Sequence, residues 1–213
     1  MPEDQLAAAI ADYESNWKPV DSELYELCSR RRAGHDDFDD AYTKVVIVGR
    51  VYAAGISRSW GGDPGKDPES EVARALIDDP RLIDDGLRRL EGRPFDHHAA
   101  GQIVRLHSDV TRAISHTSVK YLTSFVSKYL HFHCPIVPIF DARADAAMGK
   151  LINRRGRPVR DNLTELPDGV LVYRSFVAAF IALAEQYAQR NPKPTVKQLD
   201  HLLWRLMELQ SGG

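Results

Sequence analysis

The chain has 213 residues, 43% of them hydrophobic and 27% charged, with 28 Lys plus Arg against 30 Asp plus Glu. This balance excludes a disordered tail, a fibrous repeat and a uniformly basic nucleic-acid coat, and it leaves one globular domain with room for terminal extensions. The charge is nonetheless uneven: residues 1–40 hold 11 acidic and 4 basic side chains, whereas Arg93 to Arg160 hold 4 acidic and 11 basic ones, a net +7 that suits a polyanionic partner.

The opening residues carry neither the basic start nor the apolar run of a secretory leader, and the two cysteines, Cys28 and Cys134, allow one disulfide at most. A cytoplasmic protein is expected. The longest stretch free of Lys, Arg, Asp and Glu is Tyr129 to Phe140, 12 residues, too short to span a membrane.

In chain order, residues 1–36 read as an acidic, helical N-terminal extension and 37–213 as a helical domain. A helix is predicted from Asp37 to Ile56, with Phe38, Tyr42, Val45, Gly49, Tyr52 and Ile56 on one stripe. The loop 61–68 (GGDPGKDP) ends it. Two short helices follow, Glu69 to Asp79 and Pro80 to Leu90, then a longer one from the N-cap Asp96 to His116.

The next helix, Val119 to His133 with Ser118 as its cap, divides into two faces. Tyr121, Leu122, Phe125, Val126, Tyr129, Leu130 and Phe132 lie on one side. Lys120, Thr123, Ser124, Ser127, Lys128 and His131 lie on the other, a polar face of small hydroxyls expected to be open to a large polar partner. Pro135 and Pro138 then demand an extended segment that delivers Phe140 and Asp141 to the head of a helix reaching Ile152. Two amphipathic helices, about Gly169 to Arg190 and Thr195 to Glu208, close the chain. No segment reads as a strand, so the fold is expected to be all-α.

Asp141 stands out: a carboxylate after a Pro-X-X-Pro turn, at a helix mouth, 13 residues beyond Lys128. Its simplest role is an N-cap. No His-Glu-X-X-His or paired-cysteine spacing, no Gly-X-Ser-X-Gly elbow and no glycine-rich phosphate loop occurs, so neither a metal nor a cofactor is expected.

The segment from Ser118 to Phe132, followed by Pro135 and Ile136-Val-Pro-Ile-Phe-Asp141-Ala-Arg, resembles the core of the helix-hairpin-helix DNA glycosylase superfamily, nearest its divergent 8-oxoguanine-glycosylase-like branches. The resemblance covers roughly residues 118–155. In that superfamily the bifunctional members carry a lysine at the start of the second hairpin helix and an aspartate about twenty residues later; here Lys120 and Asp141 are 21 apart. The glycine-rich hairpin is replaced by Ser-His-Thr-Ser-Val, so the implied fold is a multi-helix glycosylase fold with a degenerate helix-hairpin-helix.

The resemblance implies a monomeric enzyme that flips a damaged or modified base from double-stranded DNA and cleaves its N-glycosidic bond, in repair or in anti-phage defence. An oxidised guanine is the base suggested by resemblance; a hypermodified phage base suits defence equally. Asp141 would stabilise the oxocarbenium-like sugar, and Lys120 or Lys128 would supply an amine if strand scission accompanies base release. Ser118, Ser124, Ser127 and the basic run Arg154, Arg155, Arg157 and Arg160 would contact DNA. Arg58, Trp60 and Phe140 are candidates for the wedge or the base pocket. The alternative is a helical DNA- or protein-binding module without catalysis, in which Asp141 only caps its helix.

Overall fold

The computed structural model describes residues 3–115, 122–152 and 162–211, and every regular element among them is helical. The chain starts with α1 (Glu3–Asp12) and α2 (Lys18–Glu26), continued by wider π turns at Tyr13–Trp17 and Leu27–Arg31. This acidic segment neutralises part of its own charge through the exposed pairs Lys18–Glu14, Arg30–Glu26 and Arg31–Glu23. It is also docked: α1 packs on the C-terminal helix and α2 on the helix that carries Lys128.

Asp37 caps α3 (Phe38–Val51) by accepting from Asp40 N at 2.9 Å. The expected continuation to Ile56 does not occur. Ala53 (φ 45°) and Gly55 (φ 72°) turn the backbone left-handed, and a separate short helix, α4 (Ile56–Ser59), follows. Glycine takes that conformation without strain, which permits the turn. Because α3 ends early, the Tyr52 carbonyl has no helical partner and is left for a side chain.

Asp67 and Asp79 cap α5 (Pro68–Asp78) and α6 (Pro80–Leu90), each with Pro in its first turn. Asp96 caps α7 (His97–Ile114), accepting from Ala99 N at 2.8 Å. Helices α6 and α7 meet at Gly86, where an added Cβ would strike Leu106.

Helix α8 (Thr123–His133) is the centre of the molecule. It begins at Thr123 rather than Val119, with non-helical Leu122 before it, and Phe125, Val126, Tyr129, Leu130 and Phe132 are fully buried. The polar face expected to be open is mostly closed: among its described members only Ser124 is half-buried, and Ser127, Lys128 and His131 are buried as well. Their hydroxyl, amine and imidazole are hydrogen-bonded inside the protein, which is what allows polar groups to lie there. Helices α9 (Ala142–Leu151), α10 (Leu171–Gln186) and α11 (Val196–Ser211) complete the fold, with α11 packed between α1 and α9. Residues 116–121, where the resemblance put a degenerate hairpin, lie outside the described residues. Among the described residues no helix is long and apolar enough to cross a membrane.

Candidate active site

The segment from Cys134 to Phe140 is not extended throughout: it turns at Pro135 and Ile136, where Val137 N donates to Cys134 O at 3.0 Å, and its two prolines lack donors. Side chains hold it elsewhere. His131 Nδ1 donates to Val137 O at 2.7 Å, Tyr173 Oη donates to Pro138 O at 3.0 Å, and Ser127 Oγ accepts from Phe140 N at 3.0 Å. Since a carbonyl can only accept, His131 carries its proton on Nδ1, and its Nε2 accepts from the Tyr25 hydroxyl. Burial pushes this imidazole down to about 3, so it stays neutral. The rigid segment sets Asp141 in place.

Asp141 does two things at once. Its Oδ1 accepts from Ala144 N at 2.8 Å and caps α9, while its Oδ2 lies 3.8 Å from Lys128 Nζ. Lys128 reaches this point from α8 and donates to Ser124 Oγ at 3.0 Å and to Tyr52 O at 3.2 Å, the carbonyl that the early end of α3 left over. Its side chain is 5% exposed and that of Asp141 33%. Burial lowers the Lys128 pKa and nearby Lys197 adds to the effect, against the opposing pull of Asp141 and Asp200. An amine so placed has a larger unprotonated fraction than a surface lysine, the condition for nucleophilic or proton-transfer chemistry.

Behind the pair lies a chamber of about 190 Å³, walled by Trp17, Tyr52 and Trp204 and floored by Lys197, Asp200 and His201. Trp17 and Trp204 meet edge to face with ring centroids 5.4 Å apart. Lys197 Nζ donates to Asp200 Oδ2 at 2.8 Å and lies 3.7 Å from Asp21 Oδ2 and 5.0 Å from the Tyr52 ring centroid. The Tyr52 hydroxyl donates to the other oxygen of Asp21. Burial by itself would lower Lys197, but Asp200 and Asp21 overcome it and hold the amine protonated.

In front of the pair an open groove of about 870 Å³ carries Arg58, Arg143, Thr123, Ser124, Phe140 and Val172. Tyr52, Ala53, Lys128, Asp141 and Trp204 line both spaces, so the chamber adjoins the groove where Lys128 and Asp141 stand. The arrangement can hold a flat, partly polar group in the chamber while a larger polyanion lies across the groove beside two arginines, with a carboxylate and a buried amine of lowered pKa at the junction.

The structure brings together Asp141, Lys128, Ser124, Arg58 and Phe140 from the candidates read in the sequence. Ser127 lies nearby but is inside, where it ties Phe140 to α8 and faces no groove. Trp60 lines neither space; its indole N–H points back to Asp63 O at 3.3 Å within its own loop. Lys120, Ser118, Arg154, Arg155, Arg157 and Arg160 lie outside the described residues. The sequence reading missed the chamber walls. On α11, Lys197, Asp200, His201 and Trp204 recur at helical spacing and share one face, a signal that was present. Trp17 and Asp21 offer no such signal, because they arrive through the packing of the N-terminal helices. No protein-family model, no curated protein and no solved structure matches the chain.

Proposed function

We propose that the protein is a DNA glycosylase that everts a modified base from duplex DNA into the chamber and cleaves its N-glycosidic bond at the Lys128–Asp141 junction. The observation that carries this reading is the placing of a carboxylate and a buried amine 3.8 Å apart where an aromatic-lined chamber adjoins an arginine-bearing groove. Bases are too deeply stacked for chemistry in a duplex, so such an enzyme needs a small chamber for the base and a wider trough for the strand.

In the reaction the C1′–N bond breaks, its electron pair leaves with the base, and positive charge builds on the deoxyribose. Asp141 Oδ2, the oxygen that does not cap α9, faces that charge and stabilises it. Either water adds to C1′ and gives its proton to Asp141, or Lys128 adds as the free amine and forms a Schiff base after the base departs. Arg58 and Arg143 hold flanking phosphates by charge-assisted hydrogen bonds.

A panel of labelled duplexes, each with one modified base, tests the proposal by alkali cleavage at abasic sites. Wild-type protein forms abasic sites on at least one duplex, and Asp141→Asn slows this by about 10²–10⁴-fold while binding the same duplex. Asn still caps α9, so Asp141→Asn keeps its stability within ~1 kcal/mol. Binding without base release on any duplex would favour a DNA-binding module and reject the enzyme.

A further inference from the structure

We propose that His201 is a second catalytic residue, the general acid that hands a proton to the departing base, and that Asp12 of α1 is its positioning residue. This rests on the glycosylase reading and adds a step at the same site. The two residues stand 189 apart in the sequence and meet because α1 packs on α11. His201 Nε2 donates to Asp12 Oδ2 at 2.6 Å, since an ionised carboxylate can only accept. This bond first, then Asn16 and Arg205, hold Asp12 below the ordinary carboxylate range, so it is ionised and stabilises a positive charge on the ring. Trp204, stacked on the imidazole at 5.4 Å, and Tyr13, tilted against it at 5.7 Å, fix its plane.

The second ring nitrogen is left for the chamber. His201 lines that space and Asp12 does not, and among the described residues His201 Nδ1 has no hydrogen-bond partner. Nor is it sealed in the interior, as the unpartnered Nε2 atoms of His35 and His133 are. His131 and His107, by contrast, use both nitrogens within the protein: one ring joins Val137 O to the Tyr25 hydroxyl, the other Thr123 O to the Thr111 hydroxyl. His201 has the arrangement of an acid–base group, one nitrogen oriented by a carboxylate and the other open to a substrate.

The chemistry of base departure needs such a group. When a neutral base leaves, the electron pair of the C1′–N bond moves onto its ring, and the negative charge must be met. At that moment the Nδ1–H bond of the His201 imidazolium breaks and an N–H or O–H bond forms on the base. The base leaves neutral, and His201 remains as the neutral ring with its Nε2–H still on Asp12. Water adds to C1′ and gives its proton to Asp141, which passes it to solvent, and solvent returns one to His201. The roles divide by position. Lys128 and Asp141 stand where the chamber adjoins the groove and face the sugar; His201 lies on the chamber floor and faces the base.

The experiment uses the full chain and the panel duplex whose neutral base wild type releases fastest. His201→Ala should slow release by about 10²–10⁴-fold while binding the same duplex. Added imidazole should restore much of the lost rate, because it fits the vacated space and carries a proton; thiazole, of like shape but with no proton to give near neutral pH, should restore none. Asp12→Asn, at a half-buried position, should lower kcat with KM unchanged, which decides the matter if His201→Ala does not fold. A His201→Ala enzyme as fast as wild type, a slow one that imidazole does not restore or that thiazole restores equally, or an unchanged kcat in Asp12→Asn overturns the inference and leaves the glycosylase reading intact. Release of cationic bases alone overturns it too, since such a base departs neutral without a proton; no release of any base by wild type overturns both.

Discussion

Lys128 shows how one residue's environment decides its chemistry. A lysine in the middle of an amphipathic helix is normally solvated and fully protonated, but here the amine is held by Ser124 Oγ and Tyr52 O beside Asp141, with its pKa lowered by burial. If the enzyme forms a Schiff base, borohydride will trap wild-type protein on its DNA substrate. Lys128→Gln should then lose the adduct and Lys120→Gln should keep it. Because Asp141 reaches solvent, removing its partner leaves no fully buried lone charge there, and Lys128→Gln should cost less than ~1.5 kcal/mol in urea unfolding. Base release without any adduct in wild type would assign the reaction to Asp141 and water.

At the scale of the element, α11 supplies Lys197, Asp200, His201 and Trp204 to the chamber and owes its start to a capping box. Gln198 N donates to Thr195 Oγ1 at 3.2 Å, while Thr195 N donates to Gln198 Oε1 at 2.9 Å. This reciprocal pair satisfies backbone donors at the first turn and fixes where Lys197 and Asp200 face. Thr195→Ala should lower stability by about 0.5–2 kcal/mol, read as a fall in Tm of roughly 2–4 °C per kcal/mol for a chain of this size. A Tm within 1 °C of wild type, by calorimetry, would show that packing against α1 and α9 sets the helix start without the cap.

For the whole molecule, the main pH dependence comes from histidines buried as neutral rings. Burial lowers His107 to about 4 and His131 to about 3, both below the ordinary 6.5. The unfolded chain therefore binds more protons than the folded one between these values and 6.5. The stabilisation is complete above the unfolded pKa and is lost as pH falls, with a slope of about 1.4 kcal/mol per pH unit for each ring below ~6. Asp84 and Asp200, raised by burial, act in the opposite sense as pH approaches the carboxylate range. Urea midpoints should be level near pH 7 and above, then drop steeply from pH 6 to pH 4.5; a flat profile over that interval would mean that these rings gain protons without unfolding the chain.

The sequence by itself determined the helices. Apolar spacing, aspartate caps at 37, 67, 79, 96 and 141, and prolines at helix starts are local, so α5, α6, α7 and α9 are legible in it. Pro135 and Pro138 likewise announce a break in the helices before Asp141, although the segment opens with a turn at Pro135 and Ile136 and does not run extended throughout. Tertiary structure decided the rest. Only the left-handed backbone at Ala53 and Gly55 ends α3 early and frees the Tyr52 carbonyl for Lys128. Only the packing of α8 at the centre turns its hydroxyl- and lysine-bearing face inward, because helical periodicity distinguishes two faces and cannot say which neighbour covers the polar one. The chamber depends most on packing: Trp17, Tyr52, Lys128, Asp141 and Trp204 are scattered along nearly the whole chain, and only the docking of the N-terminal helices against α8 and α11 makes them neighbours.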